Sequence, residues 1–218
     1  MIGLFFTISC TEDPLQPGGA INQTTISTAE PSDVSTTSAT SGGSIGDNGS
    51  MSVTARGICW STNEGPDITG DHTRDGSGTG SFSSTLRDLA PATTYYIRAY
   101  ATTEAGTFYG DEKQFSTSPV ALSAVSTAAV SDVTAASARS GGSVTTDGGG
   151  TVTERGICWS TSPNPTTDHS KVSQGSGKGE FAVTLTGLSP STSYYIRAFA
   201  KNEAGTSYGA QVQFTTSA

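Results

Sequence analysis

The chain has 218 residues, of which 33% are hydrophobic and 14% are charged, and its formal net charge is −8 at pH 7. This length suits one large domain or two domains of about 100 residues each. Because the chain is acidic and has no cluster of lysine and arginine, the composition argues against binding to nucleic acid.

Residues 1–10 form the first apolar stretch, which is too short to span a bilayer. Its end, Ser9-Cys10, resembles the end of a bacterial lipoprotein signal peptide. The segment Thr11-Glu12-Asp13 after it resembles the acidic export tag of surface lipoproteins of Bacteroidota. The resemblance implies a partial signal segment over residues 1–10 and a membrane anchor through acyl chains on Cys10. The alternative is an apolar N-terminus with a free thiol, because no Lys or Arg precedes Cys10. A start codon assigned too late, or a truncated gene, would explain that missing charge.

Residues 11–24 contain proline and glycine and are almost free of apolar side chains after Leu15, so we predict a flexible tether there. From Thr25 onward the chain repeats itself. Arg56-Gly57-Ile58-Cys59-Trp60-Ser61-Thr62 returns as residues 155–161, and every matching motif has the same offset of 99 residues. The repeat predicts two copies of one domain, over residues 25–118 and 124–218, with a linker over residues 119–123.

The composition of each copy favours β-structure, since serine, threonine and glycine dominate and no segment shows a sustained 3.6-residue apolar period. We predict a strand over residues 34–45, in which Gly42-Gly43 indicates the close approach of another backbone. Turn residues able to adopt positive φ follow it at Asp47-Asn48-Gly49 and, in the second copy, at Asp147-Gly148-Gly149.

The next predicted strand covers residues 53–61. Ile58 and Trp60 share one face of this strand and Cys59 lies on the other, and we expect Ile58 and Trp60 to point into the core. Residues 82–86 alternate apolar and polar side chains and predict a further strand.

A corner followed by a strand is the strongest local signal. Leu89-Ala90-Pro91 suits a turn, since proline cannot donate to a sheet, and the alternating strand that follows would place Tyr95, Ile97, Ala99 and Ala101 inward. Tyr95 and its copy Tyr194 stand where a side chain can reach back to the corner, as in the tyrosine corner of immunoglobulin-like sandwiches. A tight turn at residues 104–107 and a last strand over residues 109–117 complete the copy. The sequence thus predicts an all-β chain of two tandem immunoglobulin-like sandwiches.

The same motifs carry a family resemblance. Leu-x-Pro-x-Thr-x-Tyr, Tyr-Tyr-Ile-Arg-Ala and Glu-Ala-Gly-Thr resemble the second half of a fibronectin type III domain, and with Arg-Gly-Ile-Cys-Trp-Ser-Thr they are similar to tandem fibronectin type III-like repeats of secreted and lipid-anchored Bacteroidota proteins. The resemblance covers residues 25–218. It implies the fold and says little about function.

Several motifs suggest chemistry, but simpler interpretations fit them better. Cys59 and Cys158 hold equivalent positions in consecutive domains, too far apart for a disulfide, so we predict reduced, packed thiols and no metal or redox site. His72 and His169 each follow an aspartate, and we interpret both as solvated loop residues. The Gly-Ser-Gly-Thr-Gly run over residues 76–80 precedes a strand instead of a helix, which predicts a turn and not a phosphate loop.

One row of side chains remains as a candidate ligand face. The alternate residues of the Tyr-Tyr-Ile-Arg-Ala strand are expected to point outward, where aromatic rings beside an arginine could stack on a sugar or a partner protein. The alternative is that the arginine packs over the rings as an ordinary cross-strand contact. The six residues of this row are Tyr96, Arg98, Tyr100, Tyr195, Arg197 and Phe199.

The sequence therefore predicts a non-catalytic protein, without cofactor or metal, that serves adhesion, display or spacing. It would be a cell-envelope protein, an outer-membrane lipoprotein exposed at the surface through Cys10, or a secreted protein. The second hypothesis is a carbohydrate-binding accessory protein that uses the candidate ligand face. The third is a spacer fragment of a larger extracellular enzyme.

Overall fold

The computed structural model describes residues 25–46 and 51–218. Cys10, the signal-like segment 1–10, the predicted tether and the turn at Asp47-Asn48-Gly49 therefore lie outside the described residues. The described residues form β-strands and no α-helix, which confirms the predicted all-β class. The strands of the first domain are β1 (Ile26–Thr28), β2 (Ala39–Ile45), β3 (Ala55–Ser61), β4 (Asp71–His72), β5 (Gly80–Leu86), β6 (Thr94–Thr103), β7 (Gly106–Tyr109) and β8 (Lys113–Ser116).

The second domain repeats this order. Its strands are β9 (Ala124–Thr127), β10 (Ser137–Thr146), β11 (Glu154–Ser160), β12 (Ser170–Ser173), β13 (Gly179–Thr186), β14 (Ser193–Asn202), β15 (Gly205–Tyr208) and β16 (Val212–Thr215).

Each domain is a sandwich of two antiparallel sheets. In the first domain the sheet β1-β2-β5 packs against the sheet β4-β3-β6, in which β7 and β8 both pair with the free side of β6. In the second domain β9-β10-β13 packs against β12-β11-β14 with β15 and β16. If β7 and β8 are counted as one interrupted last strand, and β15 and β16 likewise, each domain consists of a three-stranded sheet packed against a four-stranded sheet. This is the immunoglobulin-like, fibronectin type III arrangement that the sequence predicted.

The core forms where the inner faces of the two sheets meet. Ile97, Ala99 and Ala101 of β6 are fully buried, and Tyr95 is 8% exposed, as the alternation predicted. Ile58 is fully buried, and half-buried Trp60 packs against the same cluster. Burial of one such aliphatic side chain contributes about 1.5–3 kcal/mol.

The two sheets approach each other closely at Gly43, one of the predicted Gly42-Gly43 pair. A Cβ added to Gly43 would lie 2.8 Å from the Cβ of Ala99 on the opposite sheet. Beside it, the Ala99 N–H of β6 donates a hydrogen bond to Thr28 Oγ1 of β1, at 3.0 Å. A side chain at Gly43 would therefore push the sheets apart.

The corner before β6 has the predicted geometry. The Tyr95 hydroxyl oxygen accepts a hydrogen bond from the Ala90 N–H at 2.9 Å, and Tyr194 accepts one from Ser189 at 3.0 Å. The turn also places Ala92 at φ +49°, a left-handed conformation that costs a non-glycine residue about 1–2 kcal/mol.

Two predicted strands differ from those observed. The strand predicted over residues 34–45 begins only at Ala39, because the Ser35 hydroxyl accepts from the backbone N–H of Ser38 in a turn. The strand predicted over residues 109–117 is broken after Tyr109. The first strand of the domain lies against this break, since a Cβ on Gly110 would be 3.0 Å from the Ile26 carbonyl oxygen. Within residues 25–46 and 51–218, no helix is long and apolar enough to cross a membrane.

Candidate ligand face of the central strand

The structure places the six predicted residues on one face of β6 and β14 but buries two of them. Tyr100 is 2% exposed and Phe199 is fully buried, so the expectation that they point into solvent is wrong. The half-buried members of the row are the two tyrosines and two arginines, Tyr96, Arg98, Tyr195 and Arg197. Alternation correctly separated the two faces of the strand, but the second face is also covered.

Strand β4 and the residues after it cover Tyr100. The Tyr100 hydroxyl donates a hydrogen bond to the Thr73 carbonyl oxygen at 2.6 Å, and the His72 ring meets the tyrosine ring edge-on at 5.9 Å. In the second domain Phe199 takes the place of Tyr100, with the Lys171 ammonium group 5.7 Å from its ring centre.

Arg98 is held inside its own sheet. Its Nε donates to the Gly110 carbonyl oxygen at 3.2 Å, and its guanidinium lies 4.6 Å from the centre of the Tyr109 ring. Arg197 repeats both contacts, at 2.9 Å to Gly209 and 4.9 Å to Tyr208. The arginine thus closes the break between the two parts of the last strand, which is the packing role that the sequence left open as the alternative.

The loop that follows β3 is fastened over this face. Its Ile68 N–H donates to the Tyr109 hydroxyl at 3.2 Å, and its Gly65 N–H donates to a Glu112 carboxylate oxygen at 2.6 Å. The loop leaves an open groove of about 550 Å³ whose floor includes Arg98 and Tyr109. Sequence analysis missed Tyr109 and Glu112 because they are 41 and 47 residues away from the loop positions they bind.

The second domain fastens its own loop in the same way. The Tyr208 hydroxyl accepts from the Thr167 N–H at 3.0 Å, and the Gln211 side-chain oxygen accepts from the Asn164 N–H. Because an amide replaces the carboxylate without loss of the contact, the fastening does not require a charge.

The two described cysteines are free and fully buried, which confirms the predicted packed thiols. The Cys59 thiol donates to the Pro66 carbonyl oxygen at 3.3 Å. Burial raises the pKa of both thiols to about 11, and neighbouring Arg98 and Arg197 only partly oppose the shift. At neutral pH both sulfur atoms are therefore protonated, poor nucleophiles and poor metal ligands.

The two histidines are not structural equivalents. His72 lies on β4 opposite Cys59, where the second domain has Lys171 opposite Cys158. His169 lies two residues earlier in its loop and is exposed, as predicted, whereas His72 is half-buried against Tyr100. In the part of the chain that the structure describes, no three His, Cys, Asp or Glu side chains are grouped to hold a metal ion.

The Gly-Ser-Gly-Thr-Gly run is a turn, as predicted, and it is organised by an arginine that the sequence did not reveal. Arg56 Nη1 donates to the carbonyl oxygens of Gly78 and Thr79, at 3.2 and 2.9 Å, and its guanidinium lies 5.4 Å from the Phe82 ring centre. Arg155 makes the equivalent contacts in the second domain. The carbonyl oxygens of the turn face a cation, which is the opposite of an anion-binding loop.

A polar cluster beside Tyr100 distinguishes the first domain from the second. Ser84, 2% exposed, donates to an Asp75 carboxylate oxygen at 2.7 Å and lies 2.6 Å from Thr73 Oγ1. Thr73 Oγ1 also accepts from the Ile58 N–H at 3.0 Å. The equivalent residues of the second domain are Val172, Gln174 and Val183.

Comparisons with known proteins do not identify the chain. No protein-family model and no curated protein sequence matches it. The sensor domain of the anti-sigma factor RsgI4 from Pseudobacteroides cellulosolvens is similar over 44% of this chain and 76% of its own, at 22% identity and a TM-score of 0.34.

Two multidomain structures are similar over most of this chain. The FN1–FN3 domains of chicken CNTN1 match 89% of it at 15% identity, and a titin fragment matches 87% at 17% identity, each with a TM-score of 0.38. The alignments cover 66% and 62% of those chains, so this chain spans less than two thirds of their lengths. The fold assignment rests on strand order and pairing in the structure itself.

Proposed function

We propose that this chain is a non-catalytic spacer, display or adhesion module built from tandem fibronectin type III-like domains. The observation that supports this proposal is that the residues with the most reactive or polar side chains bind other parts of their own domain. In both domains the arginine of the central strand binds a backbone carbonyl and an aromatic ring of its own sheet, and the cysteine thiol of each domain is buried. These contacts hold the sandwich together, which supports a structural role for these groups.

The module would belong to the cell envelope or be secreted. The resemblance of Ser9-Cys10 to a lipoprotein processing site supports a lipid anchor, which would make the chain an outer-membrane lipoprotein exposed at the surface. Labelling with a fatty-acid analogue tests the anchor, since incorporation should be lost in Cys10→Ala and kept in the matched variant Cys59→Ala. Equal labelling of the Cys10→Ala chain would contradict the proposal of an anchor at this cysteine.

A carbohydrate-binding role remains the second hypothesis, restricted to the half-buried tyrosines of the ligand face. Saccharide binding on a glycan array that disappears in Tyr96→Ala and Tyr195→Ala would favour it over the spacer. Buried Tyr100 serves as the control, because Tyr100→Phe removes only an internal hydrogen bond and should leave any saccharide binding intact. The spacer proposal expects no saturable binding in any of these chains.

The third hypothesis is that the two domains separate parts of a larger extracellular enzyme. Extending the reading frame in both directions on the genome tests it, and the same step would show whether a positively charged segment precedes residues 1–10.

A further inference from the structure

The joint between the two domains contains a buried amide that has no counterpart in the first domain. Asn202 is 4% exposed and stands at the end of β14. Its Nδ2 donates to the Ala121 carbonyl oxygen of the segment between the domains and to the Asp147 carbonyl oxygen of a nearby turn, both at 2.7 Å. The equivalent residue in the first domain is Thr103, whose hydroxyl, among the described residues, bonds to Gly106 and Ala105 of its own turn.

Backbone hydrogen bonds fix both ends of the connecting segment. The Ser118 N–H donates to the Ser35 carbonyl oxygen of the first domain at 3.0 Å, and the Ala121 N–H donates to the Gly148 carbonyl oxygen of the second at 2.8 Å. Only Pro119 and Val120 lie between these anchors. The proline ring fixes one of their four backbone dihedrals, so three soft torsions connect the two domains.

A direct contact between the domains restricts the remaining freedom. The Thr36 hydroxyl of the first domain donates to the Gly149 carbonyl oxygen of the second at 2.8 Å. Half-buried Val120 packs where a side chain on Gly150 would lie, since a Cβ there would be 2.5 Å from Val120 Cγ1. The turn that carries these glycines is itself held by an ion pair of 2.8 Å between Asp147 and Lys178.

We infer that residues 119–123 form a rigid joint and that Asn202 locks it by binding the segment to the second domain. The sequence predicted a short linker here, and its composition gave no sign of this lock. The inference does not depend on the proposed function, because the joint would restrict domain motion in a spacer, an adhesin or an enzyme fragment alike.

Distances between two spin labels test the joint. Labels on Thr85→Cys and Thr184→Cys occupy equivalent exposed strand positions, one in each domain. Cys10 is replaced by serine in this chain, and the buried thiols of Cys59 and Cys158 stay unlabelled in the folded protein. A reference chain in which residues 119–123 are replaced by glycine and serine gives the distance distribution of a free linker, whose r.m.s. end-to-end distance is about 12 Å for five flexible residues.

Asn202→Thr is the decisive variant, because threonine keeps the turn contacts seen at Thr103 but has no amide to donate. We expect a narrow distance distribution in the parent chain and a distribution in Asn202→Thr that broadens at least about twofold towards the glycine-serine reference. Thr103→Ala, at the equivalent site in the first domain, should leave the distribution unchanged. A parent distribution as broad as the reference would overturn the rigid joint, and an Asn202→Thr distribution as narrow as the parent would overturn the role of Asn202.

Discussion

Replacing the polar cluster of the first domain by the side chains of the second should stabilise the first domain. The cluster joins Thr73, Asp75 and Ser84 beneath the edge of the sandwich. Ser84→Val alone removes a hydrogen bond to a carboxylate, which costs about 1.5–3 kcal/mol. Burying the larger side chain returns about 1.5 kcal/mol. We therefore expect the single variant to lower the free energy of unfolding by about 1 kcal/mol.

The triple variant Thr73→Val, Asp75→Gln and Ser84→Val should instead raise the free energy of unfolding. It removes the two hydroxyls and the carboxylate of the cluster together, so none of these groups is left without its partner, and two valines and a neutral amide replace a partly desolvated carboxylate and its donors. The Ile58 N–H, which loses Thr73 Oγ1, would pair with the backbone of an extended β4, as Ile157 pairs with Val172 in the second domain. Because Asp75 is only half-buried, we expect a gain of about 1–2 kcal/mol, at the lower end of such replacements.

The structure also predicts a change in strand pairing. In the first domain Thr73 Oγ1 accepts the Ile58 N–H, and β4 pairs with β3 through two residues only. In the second domain Val172 has no such oxygen, and β12 pairs with β11 over four residues, including Val172 with Ile157. The triple variant should therefore extend β4 by two residues, which slower amide hydrogen exchange there would show.

Each domain contains one tryptophan, so the two unfolding transitions can be followed separately. In a Trp159→Phe background the fluorescence of Trp60 reports on the first domain, where a gain of about 1–2 kcal/mol corresponds to a midpoint shift of about 0.3–2 M urea. In the matched Trp60→Phe background, Trp159 should show no shift. A triple variant less stable than the parent, or no more stable than Ser84→Val, would refute the reasoning.

Three further predictions concern single positions. Tyr95→Phe and Tyr194→Phe each remove the acceptor of a corner N–H and should lower the free energy of unfolding by about 0.5–1.5 kcal/mol in urea titrations. Ala92→Gly should raise it by up to about 1 kcal/mol, because glycine adopts the observed φ of +49° without strain. Cys59 and Cys158, with pKa raised by burial to about 11, should present about one thiolate in a thousand at pH 8 and react with iodoacetamide only slowly until the chain unfolds.

The direction of the cysteine pKa shift determines how these thiols make the stability depend on pH. Burial favours the protonated thiol in the folded state, so its contribution to stability is complete below the ordinary pKa of 9.0 and is lost as the pH rises from there towards about 11.

Control variants test the tyrosine and alanine predictions. Tyr96→Phe, outside the corner, should leave the free energy of unfolding almost unchanged, and Ala39→Gly, in a buried strand, should lower it. Rapid alkylation of the folded chain, or a stabilising Ala39→Gly, would contradict these expectations.

Most of the sandwich could be predicted because the two copies repeat, the start of β6 alternates buried and half-buried residues, and the corner before it carries proline and tyrosine. In the first domain the strands that escaped prediction are β1 and β4, of three and two residues, and β7 begins at Gly106, inside the turn predicted over residues 104–107. Such segments carry too little periodicity to be recognised, and their positions depend on a partner backbone far away in sequence, as where Thr28 receives the Ala99 N–H. The break after Tyr109 escaped for the same reason, since it reflects the passage of β1 beside Gly110.

The candidate ligand face shows a second property that could not be predicted from the sequence, namely which side chains are exposed to solvent. Alternation assigned Arg98 and Tyr100 to the face opposite the core, and that assignment is correct. Whether such a face meets solvent depends on what else folds over it, and here the loop after β3 is held across it by Tyr109 and Glu112. These contacts join residues more than 40 positions apart, so neither periodicity nor composition could reveal them.

Comparison of the two domains indicates where function particular to this chain should be sought. Tyr95, Arg98 and Arg56 have copies that make the same contacts in the second domain, so the fold itself accounts for their presence in both domains. Residues that differ between copies are not explained in this way. Thr36 and Asn202 lie at the joint, and their counterparts, Ala135 and Thr103, lack the hydroxyl that binds the other domain and the amide that binds the connecting segment. Because Thr36 binds the second domain directly and Asn202 binds the segment between the domains, we expect the position of one domain against the other to be the property that this pair of repeats adds to a single sandwich.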